Sequence, residues 1–306
     1  MPPERWGRNA WVSGKYRWRI PGKKAGQIVR STESCGPRDV AGPRADGQTF
    51  KWATMTTSNT EPFEIEIAAV SDAGTEHGHN EDHCGKYIKS KTCGLVAVAD
   101  GMATLEGGEL ASQRAILALM RSFRELAPGM NQTQRLVRAT RNANYEIYDM
   151  AVVVPQLRGM STTLTAVSVT DGELTAAHVG NSRVYLIRDG YINQLSKDHT
   201  VAAEAAEEMG HYLLKGSGVL TRSLGRELLV PIDLFEIELV QGDVVILCTD
   251  GLHRVFEDLQ IAELVKGLDA AAACRKLIDE ANVIGTIDNV TAAALRVIGE
   301  TPGPRR

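Results

Sequence analysis

Beyond residue 60 the chain repeats a small set of hydrophobic patterns. Residues 63–70 alternate apolar with acidic positions and then turn fully apolar, as a strand does on entering a core. Residues 95–99 and 244–248 are short uninterrupted apolar runs, which predict strands covered on both faces. The runs 162–169, 173–179, 182–188 and 191–195 are separated by Asp171-Gly172, Gly180-Asn181 and Asp189-Gly190, turn pairs that predict a meander of hairpins. Helical spacing enters between these strands. Residues 109–126 bring Ile116, Leu119, Met120 and Phe123 onto one stripe, and residues 133–150 do the same with Leu136, Ala143 and Ile147. Asn131 followed three residues later by Gln134 predicts a capping box for the second of these helices. An Ala/Glu-rich stretch at 201–209 predicts a surface helix, residues 270–281 a buried one, and residues 290–298 a closing strand. No internal repeat is visible, and the mixture predicts a single α+β domain over 61–299 with a flexible tail at 300–306.

Composition alters this picture mainly at the N-terminal end. The 306 residues are 43% hydrophobic and 24% charged, ordinary for a globular chain, and the net charge of −4 conceals a division. Residues 1–60 hold eleven Lys/Arg against four Asp/Glu, together with all four tryptophans, and show no sustained period. Such a segment cannot bury enough apolar surface to offset its ordering entropy, so a disordered basic leader is expected, with Met55 as an alternative start. A basic arm for nucleic acid or an anionic membrane is the weaker reading, and no nucleic-acid partner is expected. No apolar stretch reaches the roughly 18 residues of a membrane span, which predicts no membrane insertion and a cytoplasmic location. The five cysteines are scattered without a C-x-x-C pair and predict neither disulfides nor a thiolate zinc site.

The candidate chemistry lies where apolar strands end in aspartate. Residues 95–101 and 244–251 are one construction used twice: a buried strand delivers Asp100 or Asp250 to the sheet rim, and Gly101 or Gly251 lets the backbone turn. Asp288 precedes the last strand, and Glu81 and Asp82 follow the first. If those strands are neighbours, five carboxylates converge. Unpaired like charges at that density either take up protons or bind cations, and hard oxygen donors favour Mg²⁺ or Mn²⁺ over zinc.

The ordered blocks Ser71-Asp72-Ala73-Gly74, Asn80-Glu81-Asp82, Ala99-Asp100-Gly101-Met102, Gly159-Met160-Ser161-Thr162-Thr163, Gly180-Asn181-Ser182-Arg183, Leu220-Thr221-Arg222-Ser223-Leu224-Gly225, Asp250-Gly251-Leu252 and Asp288-Asn289-Val290-Thr291 resemble the bacterial branch of the metal-dependent protein phosphatases, the PPM or type 2C serine/threonine phosphatases. The resemblance spans about residues 64–298. It implies a four-layer α-β-β-α sandwich, two antiparallel sheets flanked by helices. It also implies two divalent cations, with Asp100 between them, Asp250 and Asp288 on the first, and Glu81 and the Gly101 carbonyl on the second. Asp82 would hold waters on the ions, and a hydroxide bridging them would attack phosphoserine or phosphothreonine in proteins that a bacterial Ser/Thr kinase has modified. A monomer is expected.

Three departures qualify the resemblance. The arginine that grips substrate phosphate in the family is His77 here, a shorter and pH-dependent donor. Gln156 stands where an aspartate for a third metal is common, and Ala103-Thr104-Leu105 replaces Gly-Gly-His, while the segment 199–220 is short. These changes keep open a pseudophosphatase that binds a phosphoprotein or a kinase without turnover. A second rival, the H-x-H-x-D-H zinc motif of metallo-β-lactamase-like hydrolases, is approximated by His77, His79, Asp82 and His83, with a spacing one residue too long.

Overall fold

A computed structural model describes residues 64–76, 78–102, 107–125, 129–209 and 218–299; His77, the predicted leader before residue 61 and the tail at 300–306 lie outside them. The elements in chain order are β1 (Glu64–Asp72), β2 (Asp82–Ser90), β3 (Cys93–Met102), α1 (Gly107–Glu125), α2 (Gln132–Val153), β4 (Ser161–Thr162), β5 (Leu164–Thr170), β6 (Glu173–Val179), β7 (Arg183–Arg188), β8 (Tyr191–Gln194), α3 (Val201–Met209), β9 (Asp233–Glu238), β10 (Val244–Cys248), α4 (Asp250–His253), α5 (Asp258–Val265), α6 (Ala270–Ile284) and β11 (Val290–Ile298).

Two antiparallel sheets result. One runs β1-β11-β10-β7-β8, and the other runs β2-β3-β5-β6-β9 with β4 paired to β3. Strand alternation sends side chains of the two inner faces together: Val96, Val98, Val167 and Leu174 from one sheet meet Val184, Val245, Leu247 and Leu295 from the other. The outer face of the β3-containing sheet packs Leu95, Ala97 and Ala166 under Ile116, Leu119, Leu136 and Ile147 of α1 and α2. The other outer face packs Ile246, Cys248 and Ala294 under Leu252, Ile261, Leu277 and Ile278 of α4, α5 and α6. Three apolar layers therefore separate four structural ones, and this is the predicted α-β-β-α sandwich.

Strands β3 and β10 read as continuous apolar runs because both of their faces are covered. The capping box of α2 is present, with Asn131 Oδ1 accepting from Gln134 N at 2.8 Å and the Gln134 side chain accepting from Asn131 N. Asp171-Gly172 and Asp189-Gly190 both take positive φ, as a two-residue hairpin turn requires. The predicted meander is corrected at Gly180-Asn181. That pair makes no hairpin, because β6 and β7 belong to different sheets and residues 180–182 carry the chain across the sandwich. Gly180 has φ 115°, and a Cβ there would stand 2.6 Å from the Thr163 side chain, so the crossing needs glycine.

Candidate metal centre

The crossing and the strand ends share one rim. Register places Asp82 opposite Asp100 across β2 and β3, and in the other sheet Cys248 opposite Ala292, so that Asp250 and Asp288 emerge side by side just beyond the pairing. The sheets meet directly here: Thr249 Oγ1 donates to Asp82 Oδ2 at 2.6 Å.

Each carboxylate is held by its own backbone surroundings. Asp100 N donates to Thr163 Oγ1 at 2.9 Å, and the Asp100 carbonyl accepts from Thr162 Oγ1 and Thr163 N, so the Thr162-Thr163 pair fixes the end of β3. Asn289 Oδ1 accepts from Glu81 N at 2.8 Å, while its Nδ2 donates to the carbonyls of Ala73 and His79. That one amide fastens the Glu81 loop to the start of β11. Gly101 N donates to the Glu81 carbonyl at 3.0 Å, and a Cβ on Gly101 would stand 1.9 Å from the Gly108 carbonyl oxygen. Gly108, in the first turn of α1, leaves room for the Glu81 carboxylate, whose oxygens would lie 2.6 and 2.9 Å from a Cβ there. The positive end of the helix dipole favours a carboxylate in that place.

Electrostatics show how close these groups are. Burial, reinforced by the charges of Asp250 and Asp288, pushes the Asp82 carboxyl up to about 7 against the hydrogen bond from Thr249. Burial and the charges of Asp82, Asp250 and Asp288 hold Asp100 well above the carboxylate range. Asp250 is raised by burial and by the charge of Asp288, opposed by Arg254 and by the hydrogen bond from Asn181. Arg254 bridges the rim by pairing with both Asp250 and Asp288. Asn181 donates its Nδ2 to Asp250 Oδ2 at 2.9 Å, and its Oδ1 is buried without a partner.

The donor set fits hard divalent cations. It offers carboxylates and a backbone carbonyl, with charges that repel one another and an open amide acceptor alongside. Among the described residues, no three Asp, Glu, His or Cys side chains are gathered tightly enough to hold an ion as they stand. The zinc-motif alternative fails on strand geometry. Asp82 and His83 are consecutive in β2 and face opposite ways, and His83 Nδ1 pairs with Ser112 Oγ of α1 at 3.0 Å. Cys248 is fully buried, and burial pushes its thiol up to about 12, so it is no nucleophile. Gln156 sits exposed in a short 3₁₀ turn, Pro155–Leu157.

The sequence singled out Glu81, Asp82, Asp100, Gly101, Asp250 and Asp288, and these are the residues that share the rim. It gave no role to Arg254, Thr249, Asn181 or Asn289. The spacing of Arg254, four residues after Asp250, is a signal that helix geometry could have supplied.

Comparison with known proteins agrees with this geometry. Residues 73–280 match the family described as Protein phosphatase 2C. The serine/threonine protein phosphatase PstP of Mycobacterium tuberculosis is 33% identical over 240 residues, covering 76% of this chain and 45% of that protein, so the chain spans about half of that relative's length. The serine/threonine phosphatase stp of Listeria monocytogenes is 30% identical over 233 residues, covering 72% of this chain and 91% of its own. The crystal structure of the PstP catalytic domain, in complex with two manganese ions, superposes with a TM-score of 0.69 at 33% identity, covering 77% of this chain and 99% of that one. The chain described here belongs to the protein phosphatase 2C family.

Proposed function

We propose that this chain is a protein serine/threonine phosphatase that hydrolyses phosphoserine and phosphothreonine with the help of two Mg²⁺ or Mn²⁺ ions. The observation that carries the reading is the convergence of carboxylates from both sheets, three of them forced upward in pKa by burial and by one another. A fold gains no stability from such a cluster without cations, because buried like charges oppose folding. Asp250 and Asp288 would take the first ion and Glu81 with the Gly101 carbonyl the second, with Asp100 shared. The ions would supply a water of lowered pKa and balance charge on the attacking and leaving oxygens. Asp82, held by Thr249, would hold water beside the ions. His77 is proposed as the donor to substrate phosphate.

The complete carboxylate set and the phosphatase names of the relatives favour turnover over the pseudophosphatase alternative. The proposed substrates are phosphoproteins made by a bacterial Ser/Thr kinase, and the proposed location is cytoplasmic; no helix among the described residues is long and apolar enough to cross a membrane. Hydrolysis of p-nitrophenyl phosphate and of a phosphothreonine peptide is expected with Mn²⁺, is lost with chelator, and is abolished in Asp250→Asn. Activity that survives chelation, or a near-wild-type rate for Asp250→Asn at saturating Mn²⁺, would overturn the assignment.

A further inference from the structure

Asp250 opens α4, and Arg254 follows one helical turn later on the same side. Arg254 Nη2 lies 2.6 Å from Asp250 Oδ2, and Nη1 lies 3.1 Å from Asp288 Oδ2. One guanidinium thus spans the two carboxylates assigned above to the first ion. It enters from the solvent side, for the side chains of Asp250, Asp288 and Arg254 are 9%, 42% and 51% exposed. The backbone of Gly218 passes beside it, and a Cβ there would stand 3.1 Å from Nη2.

Charge sets this arrangement in competition with a bound ion. Asp250 Oδ2 is ion-paired with Arg254 Nη2 at 2.6 Å and accepts a hydrogen bond from Asn181 Nδ2 at 2.9 Å. A divalent cation repels a guanidinium a few ångströms away, whereas it attracts the neutral amide dipole of Asn181 through its oxygen.

We propose that Arg254 is a built-in counter-cation for the first metal position: it holds Asp250 and Asp288 together in the metal-free protein and leaves their oxygens when a divalent ion binds. The proposal rests on the metal-dependent reading above. Metal loading is then an exchange of cations. The guanidinium limits carboxylate repulsion in the empty site, and it weakens apparent metal affinity by the same interaction, because binding the ion gives that interaction up.

Calorimetric titration of the full chain with Mn²⁺, together with thermal melts in chelator, tests the idea on wild type, Arg254→Met and Arg254→Lys. The methionine variant keeps the stem and removes the charge. Two partly exposed ion pairs of ordinary strength predict Mn²⁺ binding about tenfold tighter in Arg254→Met. The metal-free melting temperature should fall in the same variant, and Arg254→Lys should lie between it and wild type on both measures. A residue with only a structural role would lower the melting temperature without tightening the metal. Equal or weaker Mn²⁺ binding by Arg254→Met, beside normal binding by wild type, overturns this inference alone. Absence of Mn²⁺ binding by wild type overturns the metal-dependent reading itself.

Discussion

Replacing His178 should make the protein less sensitive to acid, by an amount that the structure fixes. His178 lies on β6, fully buried, between Thr165 Oγ1 at 2.8 Å from Nδ1 and the Lys197 carbonyl at 2.9 Å from Nε2. A carbonyl only accepts, so Nε2 carries the proton and Nδ1 accepts from the threonine; the ring is neutral. Burial, aided by the neighbouring His199 ring at 4.8 Å, lowers its pKa from 6.5 to about 4, with Lys197, Asp233 and Asp198 pulling weakly the other way. The unfolded chain therefore binds a proton below about 6.5 that the folded chain refuses until about 4. Stability from this group is complete above the first value and is lost as pH falls through the second. Each pH unit between them is worth about 1.4 kcal/mol, so the loss is about 2 kcal/mol at pH 5 and about 3 near pH 4. A glutamine in place of His178 can keep both hydrogen bonds and has no proton to take up. Asp82, Asp100 and Asp250, with raised pKa values, titrate with the opposite sign, so the comparison is of His178→Gln with wild type at each pH. Urea melts of metal-free protein should show the variant gaining about 2 kcal/mol on wild type between pH 7.5 and 5, about 4–8 °C in melting temperature for a domain of this size. The same difference between variant and wild type at both pH values would refute the reasoning.

Two further outcomes follow from the site. Gly108→Ala should leave the melting temperature of the metal-free protein within a few degrees, since alanine favours a helix, yet its methyl would displace the Glu81 carboxylate; calorimetry should then show the second Mn²⁺ site, the one assigned to Glu81, lost and the phosphatase rate down by at least about tenfold. His77→Arg should lower the Michaelis constant for a phosphopeptide, most of all above pH 6.5 where a free imidazole is neutral, and change the turnover number less; initial rates between about pH 6 and 9 would check it.

Fold and site were legible in the sequence to different depths. Strands β3, β6, β10 and β11 could be read because burial on one or both faces wrote itself into their residues. The strand β2 could not: it is an edge strand whose second half, Lys86 to Ser90, is largely exposed, and polar residues there carry little period. Edge position also hid β9, and α4 and α5 were too short for a helical stripe to stand out. Asp100, Asp250 and Asp288 were legible because each ends or precedes an apolar run, and Glu81 and Asp82 because they stand in one of the blocks that carry the family resemblance. Their fastenings were not, since Thr249 reaching Asp82 and Asn289 reaching Glu81 join residues 167 and 208 positions apart, and local pattern holds no record of such pairs. Gly180-Asn181 was misread as a hairpin for a related reason. A turn pair announces that the chain bends, but which sheet receives the next strand is decided by packing.

That crossing between sheets bears on more than topology. Asp82 and Asp100 ride on one sheet and Asp250 and Asp288 on the other, so the centre is a joint between two bodies whose relative tilt is set by the apolar layer they share. On the proposed ligand set, ion affinity would therefore report sandwich alignment. Trimming Leu174 or Leu295, deep in that layer, alters the gap between the two pairs of aspartates before it alters any residue at the rim. On the proposed ligand set, an ion held by Asp100 from one sheet and by Asp250 and Asp288 from the other would in turn fasten the two sheets together at this end.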